Sequence, residues 1–165
     1  MTNRASTLAA SVLMLVSLST PSMAQNQSQI AQVRAGSSCP GCNLFQGDFT
    51  YMEKAGLNLS GARLRQADMT LAVWNRVRLN GADLRDINAY GAVMSSANFA
   101  NADLTNASLV GAWLQGSNWS GANLEGANLS GADLSRGRGL TQSQVSKACG
   151  DATTVLPQGL TIPTC

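Results

Sequence analysis

The residues with the greatest chemical reach in this 165-residue chain are four cysteines, and no histidine accompanies them. Cys39-Pro40-Gly41-Cys42 has the CxxC spacing of thiol–disulfide enzymes, in which a lowered thiol pKa makes one sulfur nucleophilic. That chemistry belongs in a strand–helix–strand setting, and none is legible around the motif. Haem attachment fails too, because Asn43 stands where a histidine is required. Without histidine there can be no Ser-His-Asp triad, no Cys-His pair and no His-ligated zinc or haem. We expect a non-enzymatic protein with no catalytic residue and no cofactor. The formal net charge of +2 is too small for the clustered basic excess of a nucleic-acid binder.

The first 24 residues read as a secretory signal peptide. Arg4 sits in a short polar head, Leu8 to Leu18 is a weakly polar to apolar stretch of 11 residues, and Ser22-Met23-Ala24 presents small residues for cleavage. The apolar stretch is well short of the roughly 20 residues that span a bilayer. The expected product is periplasmic or secreted, nearly neutral, and without a membrane span once the leader is removed.

The next signal is a period of five. Stepping by five from Leu44 to Leu134 visits 19 positions, of which 17 are large and apolar; the exceptions are Lys54 and Ala89. Two residues ahead of each lies a second series, from Cys42 to Ala132, in which 12 of the 19 are alanine. Five matches neither the 3.6-residue period of a helix nor the two-residue alternation of a strand. The chain must therefore turn after every unit, placing one large and one small side chain inward. Asn, Asp, Ser, Thr and Gly fall between them.

Gly81-Ala82-Asp83-Leu84-Arg85, Asn101-Ala102-Asp103-Leu104-Thr105, Gly121-Ala122-Asn123-Leu124-Glu125 and Gly131-Ala132-Asp133-Leu134-Ser135 carry the motif A(D/N)LXX. The chain thus resembles the pentapeptide-repeat family over residues 42–136. The resemblance implies an all-β solenoid, a right-handed quadrilateral β-helix with four pentapeptides per coil. It would have four to five coils and a length of roughly 23 Å at about 4.8 Å per coil. A lysine cannot stay unpaired in such an interior, so the coil is expected to bulge near Lys54. Ala89 would leave room for Met69 or Leu109 in the coils on either side.

A solenoid needs covered ends. We expect an N-terminal cap over residues 25–41, with a short helix stopping at Gly36. A C-terminal cap over residues 137–165 would have a helix from Thr141 to Gly150 and an extended tail against the rod. By the resemblance, Cys39 and Cys42 lie at one end of the rod and Cys149 and Cys165 at the other, too far apart for a shared tetrathiolate metal site. Structural disulfides at the two caps are the expectation for an exported chain, with the connectivity left open.

Residues 20 apart would stack on one face. Arg65 and Arg85 then sit on adjacent coils as a candidate basic patch, balanced by Asp68, Asp83 and Asp86. Val73, Val93 and Trp113 form a candidate outward apolar ladder, with Thr70, Tyr90 and Val110 beside it, unless the C-terminal tail covers them. The expected function is a rigid interaction or structural module for an unidentified protein or envelope component, compatible with a homodimer. Two other readings are a DNA-mimicking protector of DNA gyrase, for which the chain is insufficiently acidic, and a thiol–disulfide role for Cys39 and Cys42.

Overall fold

The structure is a computed structural model and describes residues 25–165; the leader assigned to residues 1–24 lies outside the described residues. Helix α1, Gln27–Arg34, opens it. Asn26 caps the helix by accepting the Gln29 amide at 3.2 Å, while Ile30 and Val33 bury its inner side against the first coil. The Gln29 side chain in turn accepts the Asn43 amide at 2.7 Å, so the cap satisfies a backbone donor of the first coil.

From Asn43 onward the backbone winds with a repeat of 20 residues. Sixteen parallel bridges join residue i to i+20, from Asn43 with Arg63 to Asn118 with Arg138. Each bridge is a single residue between turns, so among the described residues the solenoid contains no continuous strand. This narrows the all-β expectation: the ladder is real, but corners interrupt it every five residues. Four bridge positions per coil define four faces. The first carries Asn43, Arg63, Asp83, Asp103 and Asn123; the second Asp48, Asp68, Asn88, Ser108 and Asn128. The third carries Glu53, Val73, Val93, Trp113 and Asp133, and the fourth Asn58, Arg78, Asn98, Asn118 and Arg138.

The repeat follows from an account of its amide donors. In the unit beginning at Ala62, the Ala62 N–H closes a turn onto the Leu59 carbonyl, Arg63 N–H reaches back to Cys42, and Leu64 and Gln66 N–H reach forward to Asp83 and Arg85. One donor per unit remains, that of the residue after the large apolar one. Wherever Asn or Asp occupies the bridge position, its side-chain oxygen accepts that N–H two residues on, as in Asn98 with Ala100 at 3.1 Å and Asp133 with Ser135 at 2.8 Å. That is the physical content of the Asp or Asn in the motif.

All 17 large apolar residues of the series beginning at Leu44 are buried, as is Ala89. Ser117, replacing alanine in the second series, is buried with its hydroxyl donating to the Met94 carbonyl and accepting the Ala97 amide, both at 3.1 Å. Phe49 meets Trp74 edge-on at 5.3 Å, and Phe99 stacks on Trp119 at 4.4 Å. Both indole N–H groups lie buried without an acceptor, so it is ring packing that holds these residues in place.

The expected bulge at Lys54 is absent. Lys54 N–H donates to Val73 and Gly56 N–H to Asn75, keeping the ladder in register. The side chain escapes because it lies on the first coil, where only the N-terminal cap, and no further coil, lies beneath it. It runs out past Gly36 at the end of α1, within about 3.3 Å of where a Cβ would stand.

The C-terminal cap also differs from expectation. Thr141 does cap a helix, with the reciprocal Thr141 and Gln144 bonds of a capping box, but α2 spans only Gln142–Val145. It stops because the following residues return to the ladder: Gly126 N–H donates to Lys147, Cys149 N–H to Ala127, and Leu129 N–H to Cys149. Val155 pairs with Asp133, and Thr164 with Gly150. The tail therefore folds over the end of the rod and does not lie along it; Leu156 and Ile162 pack on the core.

Candidate interaction surface

Among the described residues there is no pocket and no cluster able to hold a metal ion. What the molecule offers is its four faces and two ends.

The cysteines pair within the caps. Cys39 and Cys42 are bonded to each other, with Cα atoms 5.5 Å apart, as are Cys149 and Cys165, with Cα atoms 4.8 Å apart. Cys39 and Cys42 are both buried, and their loop is tied to the next coil by Cys39 N–H to Asn58 and Gly41 N–H to Ser60. The CxxC segment thus forms the rim of the solenoid, a setting unlike that of a redox motif.

Arg65 and Arg85 do stack on neighbouring coils, but as ion pairs. The Arg85 guanidinium holds Asp83 through two bonds of 2.7 Å and lies 3.6 Å from Asp103, while Arg65 lies 3.2 Å from Asp86. Asp68 takes no part; it is on the second face, accepting from Thr70 and Asn88. The basic patch is therefore largely neutralised. The Arg85 hydrogen bonds hold the Asp83 carboxyl below its usual range, and Thr50 and Thr153 do the same for Asp48 and Asp151, through their backbone and side-chain bonds. Carboxyls depressed on folding stabilise the protein at pH values above the unfolded pKa, about 3.9, and lose that contribution as pH falls through their folded values. Melting temperature should be level between pH 7 and pH 5 and fall below about pH 4, with a shallower fall in Asp83→Asn; equal melting temperatures at pH 2.5 and pH 7 would contradict this.

The apolar ladder is present, with Val73 and Val93 half-buried and Trp113 exposed. Val73 pairs with Val93 and Val93 with Trp113, and Trp113 is 55% exposed. The tail leaves it uncovered; Val155 extends the same column past Asp133. Tyr90, 54% exposed, stands on the corner shared with the second face, next to Val110 and Leu71. Two members escape a reading confined to the ladders: Tyr51 at 70% and Leu71 at 40% exposure lie on that same corner one coil apart. Leu71 is laid across Gly91, a position where any side chain would collide with it. All five large exposed apolar residues of the described chain, Val155 included, therefore belong to one face and one corner. The signal was available in the period: Tyr51 and Leu71 are 20 apart and outside both inward series.

The family profile of pentapeptide repeats matches residues 58–95, 75–109 and 102–138, with eight copies of the repeat. No curated protein sequence matches the chain. Among solved structures, a trypsin-treated form of QnrB1, a plasmid-mediated fluoroquinolone resistance protein, is similar at 24% identity and a TM-score of 0.57. The match covers 74% of this chain and 65% of that one, so this chain spans slightly less than two thirds of its length. The pentapeptide repeat protein Rfr23 from the cyanobacterium Cyanothece 51142 matches at 27% identity and a TM-score of 0.40, covering 78% of this chain and 97% of that one.

Proposed function

Because this chain belongs to the pentapeptide-repeat family, we propose that it is an exported, non-enzymatic rod that binds another protein through its third face. The winding we assign is the right-handed, four-sided β-helix of that family, and the compartment is the periplasm or the exterior. The observation that carries the reading is the run Val73, Val93 and Trp113. Asn or Asp at the bridge position satisfies a backbone amide, and twelve of the 19 bridge positions from Asn43 to Asp133 hold one. Four consecutive coils of the third face forgo that bond, with Glu53 and then Val73, Val93 and Trp113 in its place, and Trp113 is left 55% exposed. Together with Tyr51, Leu71 and Tyr90 on the adjoining corner, Trp113 gives exposed apolar surface of the kind that marks contact sites.

Trp113→Ala tests the reading. Its side chain is mostly in solvent, so the substitution should change stability by no more than about 1 kcal/mol. It should nonetheless abolish capture of a protein from envelope extract by the immobilised rod. Identical capture by both proteins would remove the third face from consideration. Gyrase protection by DNA mimicry is the weaker alternative: a column of carboxylates is needed to imitate phosphates, and on the second face Asp48 and Asp68 give way to the neutral Asn88, Ser108 and Asn128. A supercoiling assay with gyrase separates the two.

A further inference from the structure

The small net charge conceals a sorting of charge by face. The first face is mixed, and its groups neutralise one another in the Arg65 and Arg85 pairs. The fourth face and its flanking corners, residues 55–61, 75–81, 95–101, 115–121 and 135–140, contain Arg76, Arg78, Arg136 and Arg138 and not one carboxylate. At their bridge positions the second and third faces hold Asp48, Asp68, Glu53 and Asp133 and no base, and the inward-series Lys54 runs out past Gly36; the corner that the third face shares with the fourth carries Arg76 and Arg136. Asp48 is paired with Arg34. Glu53, Asp68 and Asp133 make none of the ion pairs found among the described residues, although Asp133 accepts the Gln115 amide at 2.6 Å and feels Arg136 on the next corner.

These three carboxylates stand at the two ends of the apolar stripe and on its side toward the second face, while Arg76 and Arg136 lie on the corner at its other side. Glu53 and Asp133 stand in its own column, at either end of Val73, Val93 and Trp113, and Asp68 flanks it beside Thr70. Resting on the reading of the third face as a contact surface, we propose that the stripe receives an extended segment of a partner protein in which aromatic or aliphatic side chains are flanked by lysine or arginine. Glu53 and Asp133 are four bridge steps apart, roughly 19 Å at about 4.8 Å per step, which an extended chain covers in about six residues. The apolar side chains of the segment lie on Val93 and Trp113, and its terminal cations meet the two carboxylates, where opposite potentials set register and speed association.

The same charges argue against other occupants. A second copy that laid its Val73, Val93 and Trp113 on those of the first would oppose Glu53 to Glu53 and Asp133 to Asp133 if parallel, and Glu53 to Asp133 if antiparallel about Val93. Either arrangement sets acid against acid. Anionic lipid and nucleic acid meet the same repulsion.

Panning a displayed random heptapeptide library on the purified protein tests the proposal. The recovered peptides should carry Lys and Arg at least tenfold more often than Asp and Glu beside aromatic or aliphatic residues. Glu53→Gln, Asp68→Asn and Asp133→Asn combined should erase the cationic preference. That variant keeps its fold, because asparagine at bridge positions 98, 118 and 128 already makes the turn bond that aspartate makes. Peptides lost with Trp113→Ala but without cationic preference, or with a preference that survives the triple variant, overturn the cationic partner and leave the contact surface standing. Peptides indifferent to Trp113→Ala, or no enrichment over an uncoated support, overturn both. Dimerisation in analytical ultracentrifugation that Trp113→Ala abolishes overturns the proposal in favour of a second copy.

Discussion

Leu104→Asp is expected to leave no folded protein at 25 °C. Leu104 is fully buried, its amide donates forward to Asn123, and inward residues of neighbouring coils stack above and below it. Truncating such a leucine to alanine costs about 2–5 kcal/mol. A carboxyl group in its place loses the same burial and adds the cost of an unpartnered polar group, several kcal/mol more. The sum approaches or exceeds the roughly 5–15 kcal/mol that holds a domain together. The neighbouring Thr105→Ala loses only the hydroxyl that bridges Asp103 and Asn123, a change of about 1 kcal/mol. Circular dichroism melts of the pair decide the matter. A cooperative melt for Leu104→Asp close to that of the native chain would show that the five-residue series does not form the interior.

Removing the Cys149 to Cys165 bridge by double substitution to serine should cost about 3 kcal/mol on the chain-entropy account, or roughly 6–12 °C in melting temperature. The cysteines are 16 residues apart. Cys39 and Cys42, only three apart, close a smaller loop worth about 2 kcal/mol. Location matters as much as loop length. The last coil is covered by a tail whose far end is held by the disulfide, by Gly150 N–H to Pro163 and Cys165 N–H to Gly150, and by the Gln142 side chain at Thr161. Because each coil of a solenoid contacts only its neighbours, the loss should appear as fraying of residues 129–165 ahead of the remainder. Hydrogen exchange would report it. Uniform loss of protection along the rod would mean that the bridge acts on the whole fold and not on its end.

The legibility of this molecule varies from residue to residue. Leu44, Leu64 and Trp74 announce their burial by spacing alone, because a side chain every fifth position has only one inside to enter. Lys54 shows where that logic stops. Its position in the series is that of a core residue, yet being on the first coil, with only the cap beneath it, lets the ammonium leave without disturbing the backbone. The residues after Val145 show the same limit from the other side. Val145-Ser146-Lys147-Ala148 could continue a helix, but the carbonyls and amides at the top of the last coil needed partners, and Lys147 and Cys149 supplied them.

Arg65 and Asp68 mark a subtler limit. Sequence spacing places both on the outside, and from a list of charges they could neutralise each other. The coil puts them on different faces, so Arg65 finds Asp86 while Asp68 turns to Thr70 and Asn88.

The amino-acid sequence by itself determined the coil: a five-residue period over 95 residues leaves no other way to bury one large and one small side chain per unit. It also determined that chemistry requiring histidine is absent. Only the tertiary structure decided what the surface is, because outward side chains have no common interior to constrain them and acquire neighbours solely through the 20-residue winding. That winding neutralised the arginine ladder, closed the tail over the end of the rod, and gathered Tyr51, Leu71, Tyr90 and Trp113 into one exposed stripe among unpaired carboxylates.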